Sequence, residues 1–288
     1  MEGQAGMLPG GARRRGRVRR LAMGLSTLFG RPRGFFIPHR YAAAAQSCGY
    51  PALAASLAGC EGAFEAVLAD IQRYGERLLR LRGPAPQPRF DQDWFPRLDA
   101  AGAYVMVCRA RPTQIVEIGS GHSTRFLARA IADEGLQTEL VCIDPAPRAP
   151  LRGLAVRWVE DVVQRAPETL FSGLRSGDIL FVDSSHILMP GTDVDWLLNR
   201  ILPGLAAGVL VHFHDVFLPD PYPDTWAWRG YNEQQAIATL LQGAAYDCVF
   251  ASHYAVTRMA DRLERGVLAE LPLPADALES SFWLAKRS

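Results

Sequence analysis

The sequence predicts an α/β fold: a seven-stranded, mostly parallel sheet with helices on both faces and a helical N-terminal extension. Three observations predict it. From Arg111 onward, short apolar runs alternate with longer amphipathic stretches, the pattern of a parallel sheet whose crossovers are helices. The first apolar run ends in Gly119-Ser120-Gly121, and an amphipathic stretch opens straight after that turn. Before Arg111 the apolar spacing is helical and no strand-like alternation is seen.

The elements follow in chain order. Residues 1–34 are rich in Gly and Arg and carry too little apolar surface to offset their ordering entropy, so a basic, disordered tail is expected. Arg13–Arg20 followed by the apolar residues 21–29 imitates a signal peptide, but no Ala-x-Ala-like site follows. A tail that touches a membrane surface or RNA is the sharper alternative. Residues 35–110 read as a helical accessory region. Within it Phe64, Val67, Leu68, Ile71, Tyr74, Leu78 and Leu79 recur at three- and four-residue steps, an amphipathic stripe that packs on the main domain or on a partner subunit of a homo-oligomer. Pro84, Pro86 and Pro88 end it as a semi-rigid linker, and Asp93-Trp94-Phe95-Pro96 opens a helix that runs to about Arg109. Residues 111–288 form the main domain. Strands are expected at 114–118, 139–143, 155–159, 178–183, 208–214, 247–252 and 281–286, with helices at 123–134, 162–174, 193–202 and 232–242.

Composition narrows the function classes. The 288 residues are 49% hydrophobic and 21% charged, with a mean hydropathy of -0.00, which excludes wholesale disorder and fibrous architectures. The net charge of +1 hides an asymmetry: residues 1–33 hold eight arginines and one acid, leaving 23 basic against 29 acidic residues elsewhere. That body, at about −6, is a poor nucleic-acid binder. Five scattered cysteines with no Cys-x-x-Cys pair give no disulfide framework or zinc site, so a reducing, cytoplasmic compartment is expected. No stretch approaches the roughly 20 uninterrupted apolar residues of a membrane span.

The strongest motif is Glu117-Ile118-Gly119-Ser120-Gly121-His122-Ser123-Thr124. Glycines let the backbone turn sharply and approach a ligand closely, and free N–H groups at a strand-to-helix junction suit anionic groups. Asp144 follows Gly121 by twenty-three residues, at the end of the second apolar run, where an acid accepts hydrogen bonds from ribose hydroxyls. A dinucleotide fold wants a third glycine where Thr124 stands, and Glu117 would repel a pyrophosphate. A ligand with an amino group suits Glu117 better.

These residues, Val116 to Gly121 with Asp144, resemble the class I S-adenosylmethionine-dependent methyltransferases. Phe181-Val182-Asp183-Ser184-Ser185-His186 and Val211-His212-Phe213-His214-Asp215-Val216 resemble the small-molecule O-methyltransferase-like subgroup. The resemblance covers residues 90–288 and implies a Rossmann-like methyltransferase sheet with S-adenosylmethionine as cofactor. It implies Glu117 near the methionine amine, Gly119, Ser120, Gly121 and Ser123 around the cofactor, and Asp144 on the ribose. It also implies Asp161 at the adenine, with Glu160 as competitor, and Asp183 beside the reactive carbon.

Asp183 and Asp215 end the fourth and fifth strands, on the rim where open α/β sheets bind ligands. Two converging carboxylates suit Mg²⁺, and His214 or a water would complete its shell. Val216 stands where metal-dependent O-methyltransferases commonly carry an amide, so a site without metal stays open. His186 is placed to accept a hydroxyl proton, and His212 reads as a core histidine. Residues 218–231, with three prolines and Tyr222, Trp226, Trp228 and Tyr231, read equally as a substrate lid over a small-molecule acceptor and as cover for the sheet edge, with Arg229 expected to pair with an acidic group. There is no Gly-x-Ser-x-Gly elbow, no phosphate-binding Gly-x-x-x-x-Gly-Lys loop and no His-Glu-x-x-His. The expected function is O-methylation of a small molecule; an NAD-linked oxidoreductase and a non-catalytic cofactor-binding assembly protein are the alternatives.

Overall fold

A computed structural model of the protein describes residues 10–30 and 39–287, with side chains from Val18 onward. The remaining parts of the predicted tail lie outside the described residues. The chain divides into two compact units, residues 49–220 with 232–288, and residues 1–48 with 221–231.

The larger unit holds the sheet. Its strands are β1 (Gln114–Ile118), β2 (Glu139–Ile143), β3 (Arg157–Val159), β4 (Ile179–Val182), β5 (Leu210–Phe213), β6 (Tyr246–Ala251) and β7 (Phe282–Lys286). Their order is β3-β2-β1-β4-β5-β7-β6. The first five are parallel neighbours, while β7 runs antiparallel to both β5 and β6. This is the seven-stranded α/β sheet the sequence predicts. The switch point lies between β1 and β4, where the order reverses, and the loops after β1 and β4 open there. Strands β1, β2 and β4 are nearly continuous Val, Ile, Leu and Phe, as strands covered on both faces must be.

The accessory region and the sheet share one core. Phe64, Val67, Leu68 and Ile71 are the buried face of the helix Glu61–Arg73, and Phe64 meets Phe250 of β6 edge-on at 6.1 Å. The helix Arg97–Ala110 is buried from Leu98 to Cys108, so the core that holds the sheet extends to residues before 111. Its start is anchored by Arg97, whose Nε and Nη2 donate to Glu279 at 2.9 and 2.8 Å, a bidentate pair shielded from water.

Two predicted helices take other forms. Residues 162–174 contain Pro167, which drives Ala166 into the extended region (ψ 147°), and only the short turns Val163–Arg165 and Thr169–Ser172 remain. Residues 193–202 begin as Asp193–Trp196, capped by the Thr192 hydroxyl, and widen into a π-turn at Leu197–Ile201.

In the smaller unit, the segment expected to be a solvated tail contains the helix Gly10–Phe29. Arg, Leu, Ala and Met are strong helix formers, and their propensity outweighs four glycines there. The same unit holds residues 221–231, where Arg229 lies 3.9 Å from the Trp226 ring centroid and Arg19 lies 4.9 Å from that of Trp228. No single helix among the described residues is long and apolar enough to cross a membrane.

Candidate active site

The rim of the sheet presents two adjoining surfaces. The first is the glycine turn. Gly119 has φ +79°, and a Cβ there would sit 1.8 Å from the Asp183 carbonyl oxygen, so only glycine lets β1 and β4 leave the sheet this close together. Asp144 holds the turn: it accepts from the Ser120 N–H at 2.6 Å and from the Ala146 N–H at 2.7 Å. Glu117 is fully buried and accepts from the Ser123 and Thr124 hydroxyls, both at 2.6 Å, and from the Cys142 thiol at 3.3 Å. Burial pushes its carboxyl up to about 7 despite those donors. Among the described residues, the buried hydroxyls of Ser120 and Ser184 find no hydrogen-bond partner. Asp161 leaves β3 and pairs with Arg165, which together with the Val162 N–H holds its carboxyl below the usual range.

The second surface is charged. Asp183 follows β4, and His214 and Asp215 follow β5. His186 Nε2 lies 3.4 Å from Asp183 Oδ1 and 3.4 Å from Asp215 Oδ2, while its Nδ1 lies 2.9 Å from Glu233 Oε2. His214 mirrors this, with Nδ1 at 3.5 Å from Asp183 Oδ1 and 3.4 Å from Asp215 Oδ1. Its Nε2 lies 3.1 Å from Asp99 Oδ2. Two carboxylates thus stand between two imidazoles, and each imidazole has a further buried carboxylate behind it. His186 and Asp215 have φ of +59° and +57°, two of the four non-glycine residues in that region among the described ones. Such strain persists only where the surroundings hold it.

Burial alone would lower both histidines, yet the carboxylates win. Asp215, Asp183 and Glu233 hold His186 well above its ordinary value, and Asp183, Asp215 and Asp99 do the same for His214. Burial would likewise raise Asp183, but His214 and His186 hold it well below the usual carboxylate range. The cluster is a set of ion pairs, and its outward edge is Asp183, 25% exposed against 2% for His186.

The structure therefore brings Asp183, His186, His214 and Asp215 together beside Gly119, Ser120, Gly121, Ser123 and Asp144. Asp161 stands apart in its pair with Arg165. His212 is a neutral core residue: burial and His214 hold it well below its ordinary value, Phe181 stacks on it at 3.7 Å, and its Nε2 meets the Ser281 hydroxyl. Sequence reasoning missed Asp99 and Glu233. Asp99 carried one signal, an acid near the start of a helix whose following residues, from Ala100 to Cys108, are all uncharged.

Residues 116–216 match a family model described as a methyltransferase domain. No curated protein matches the chain. Among solved structures it is similar to the Podospora anserina methyltransferase PaMTH1 with S-adenosylhomocysteine bound. That likeness has 19% identity and a TM-score of 0.41, over 88% of this chain and 100% of the other. It is also similar to an O-methyltransferase from Bacillus cereus in complex with S-adenosylhomocysteine, with 13% identity and a TM-score of 0.41, over 77% of this chain and 91% of the other. The matched segment runs from within β1 to just past Asp215 and so contains the glycine turn with Asp183, His186, His214 and Asp215, but not Asp99 or Glu233.

Proposed function

We propose that the chain transfers a methyl group from S-adenosylmethionine to a hydroxyl oxygen of a small molecule. The observation that carries this reading is the ion-pair cluster at the ends of β4 and β5, set directly against the glycine turn through the Asp183 carbonyl at Gly119.

The residues at the turn suit the cofactor. Buried hydroxyls at Ser120 and Ser184 without a partner among the described residues want a polar ligand, Gly119 leaves the backbone open, and the Asp144 carboxylate at the end of β2 suits ribose hydroxyls. The cofactor, when bound, supplies an electrophilic methyl on a sulfonium. This chain's contribution is then largely positioning, since methyl transfer is an in-line displacement. Asp183, the exposed member, accepts the acceptor's hydroxyl hydrogen and aims its oxygen. As the methyl is transferred, the proton leaves to the Asp183 carboxylate. The hydroxyl hydrogen becomes strongly acidic as the new carbon–oxygen bond forms, so a carboxylate held at low pKa still takes it and passes it to water. His186, held in its charged form behind Asp183, has no free lone pair for it, and the proton-accepting role first given to His186 passes to Asp183. Asp215 and His214 keep the pair aligned, and Glu233 fixes the His186 ring through Nδ1.

Asp183, His186 and Asp215 offer ligand atoms within 4.8 Å of one another, a group that differs from Asp183, Asp215 and His214. This set does not suit Mg²⁺. That ion asks for oxygen ligands and several waters, whereas here an imidazole nitrogen lies between the two carboxylates and balances their charge. No step proposed here runs through a cation.

The test is Asp183→Asn. Methyl transfer to a hydroxylated acceptor panel is expected to fall by about 10²- to 10⁴-fold, with S-adenosylmethionine binding retained in a calorimetric titration. Undiminished turnover removes Asp183 from the chemistry. Binding of NAD in place of S-adenosylmethionine by the native protein returns the oxidoreductase reading.

A further inference from the structure

The helix Gly10–Phe29 plays no part in the proposed reaction, yet it has a definite surface chemistry. Its sequence holds six arginines and no acid, while the rest of the chain is acidic. Val18, Leu21, Leu25, Leu28 and Phe29 are 62%, 64%, 50%, 56% and 84% exposed. Their spacing of three, four, three and one places them on one face, within an arc of roughly 100° of the helix circumference. Arg19, Arg20, Ser26 and Thr27 occupy the other side, and it is from there that Arg19 reaches the Trp228 ring. The apolar stripe is turned away from that contact.

We propose that this helix lies flat on an anionic lipid surface, with the stripe from Val18 to Phe29 at the acyl boundary and the arginines among the headgroups. A cationic helix with an exposed apolar stripe is the pattern of interfacial helices, which lie in the membrane plane and do not cross it. The arginines supply attraction to acidic headgroups, and the stripe supplies burial that a polyanion in water cannot offer. RNA would answer the arginines and leave the stripe in water. A second copy of the chain would answer the charge, but among the described residues the other exposed large hydrophobics are Met23, on the arginine side of the same helix, and Tyr41, Trp94, Trp158, Leu273 and Leu278, which form no matching stripe along an element.

The test is co-sedimentation of the full chain with vesicles of phosphatidylcholine alone and of phosphatidylcholine with roughly one third phosphatidylserine. Sedimentation is expected with the mixed vesicles and is expected to weaken as salt is raised. Leu25→Asp/Leu28→Asp should lower the partition at least about tenfold, and Arg14→Gln/Arg15→Gln should weaken it and flatten its salt dependence. An unchanged melting temperature shows that these exposed substitutions leave the fold intact. Failure of the native protein to sediment with mixed vesicles overturns the proposal. So does a partition that Leu25→Asp/Leu28→Asp leaves untouched, which would mark a general polyanion site that RNA fills equally well. Self-association abolished by that double variant without vesicle binding would assign the stripe to a second copy instead.

Discussion

The two surfaces at the sheet's rim are neighbours, yet they are built on opposite terms. The glycine turn is a matter of shape: a missing Cβ, a tightened backbone, hydroxyls, and an acid at Glu117 wrapped in donors. The cluster after β4 and β5 is a matter of charge, with Asp183 and Asp215 held between His186 and His214. One surface tolerates no added atom, and the other tolerates no lost charge. A methyl-transfer site needs both, since the donor must be seated by fit and the acceptor oxygen aimed by polar contacts.

That contrast is broken most severely at Gly119. Gly119→Ala forces a methyl into the Asp183 carbonyl and adds strain at φ +79°, so a loss of about 4 kcal/mol or more is expected in denaturant unfolding, with cofactor binding lost alongside. A fall below about 1 kcal/mol would show that the two strand ends separate easily. Next comes Asp99→Asn, which keeps the shape and removes the charge. Asp99 accepts from Ser252, from the Ser280 and Ser281 N–H groups, and faces His214. An amide leaves His214 without its rear carboxylate and points a donor at donors, costing about 3 kcal/mol by the same measurement. A neutral result would mean that the cluster is held by packing alone.

The smallest effect sharpens the boundary between the two surfaces. Glu117 has its carboxyl raised from 4.5 to about 7, so between those values the folded state keeps a proton that the unfolded state has lost. Stability from this group therefore falls as pH rises through that window and stays low above it, by on the order of 2–3 kcal/mol. Glu117→Gln should flatten the slope of stability against pH there, read from melting curves between about pH 4.5 and about pH 8. An unchanged slope would place Glu117 among the charged groups.

How far the sequence revealed each surface follows from the same contrast. The turn was legible because it is contiguous: Glu117, Gly119, Gly121 and Thr124 fall in eight residues, and Thr124 receives the Gly121 N–H just as a helix start requires. Strands β1 and β2 were legible to the residue, since two-sided burial forces largely apolar runs. The cluster was legible only in its front row. Asp183, His186 and Asp215 sit at readable strand ends. Asp99, however, meets His214 from 115 residues away, and Glu233 meets His186 from 47. A charge partner at that distance leaves no local period to detect. The helix expected over 162–174 shows the reverse error, where an apolar period was read through Pro167 although the residue before a proline avoids the helical region.

The position of β7 has a consequence for how the site comes into being. Ser280 and Ser281, just ahead of that strand, donate their N–H groups to Asp99, and the Ser280 hydroxyl lies 3.4 Å from Asp215. Strand β7 then slides between β5 and β6, which are already separated by the whole of the chain from 214 to 245. During synthesis the parallel strands emerge first, and the carboxylate pair waits for a strand made much later to brace it. Loop-closure entropy over such separations makes this insertion a slow event. A chain that lacks β7 would thus own most of its sheet while Asp99 and the Asp183–Asp215 pair stand unbraced.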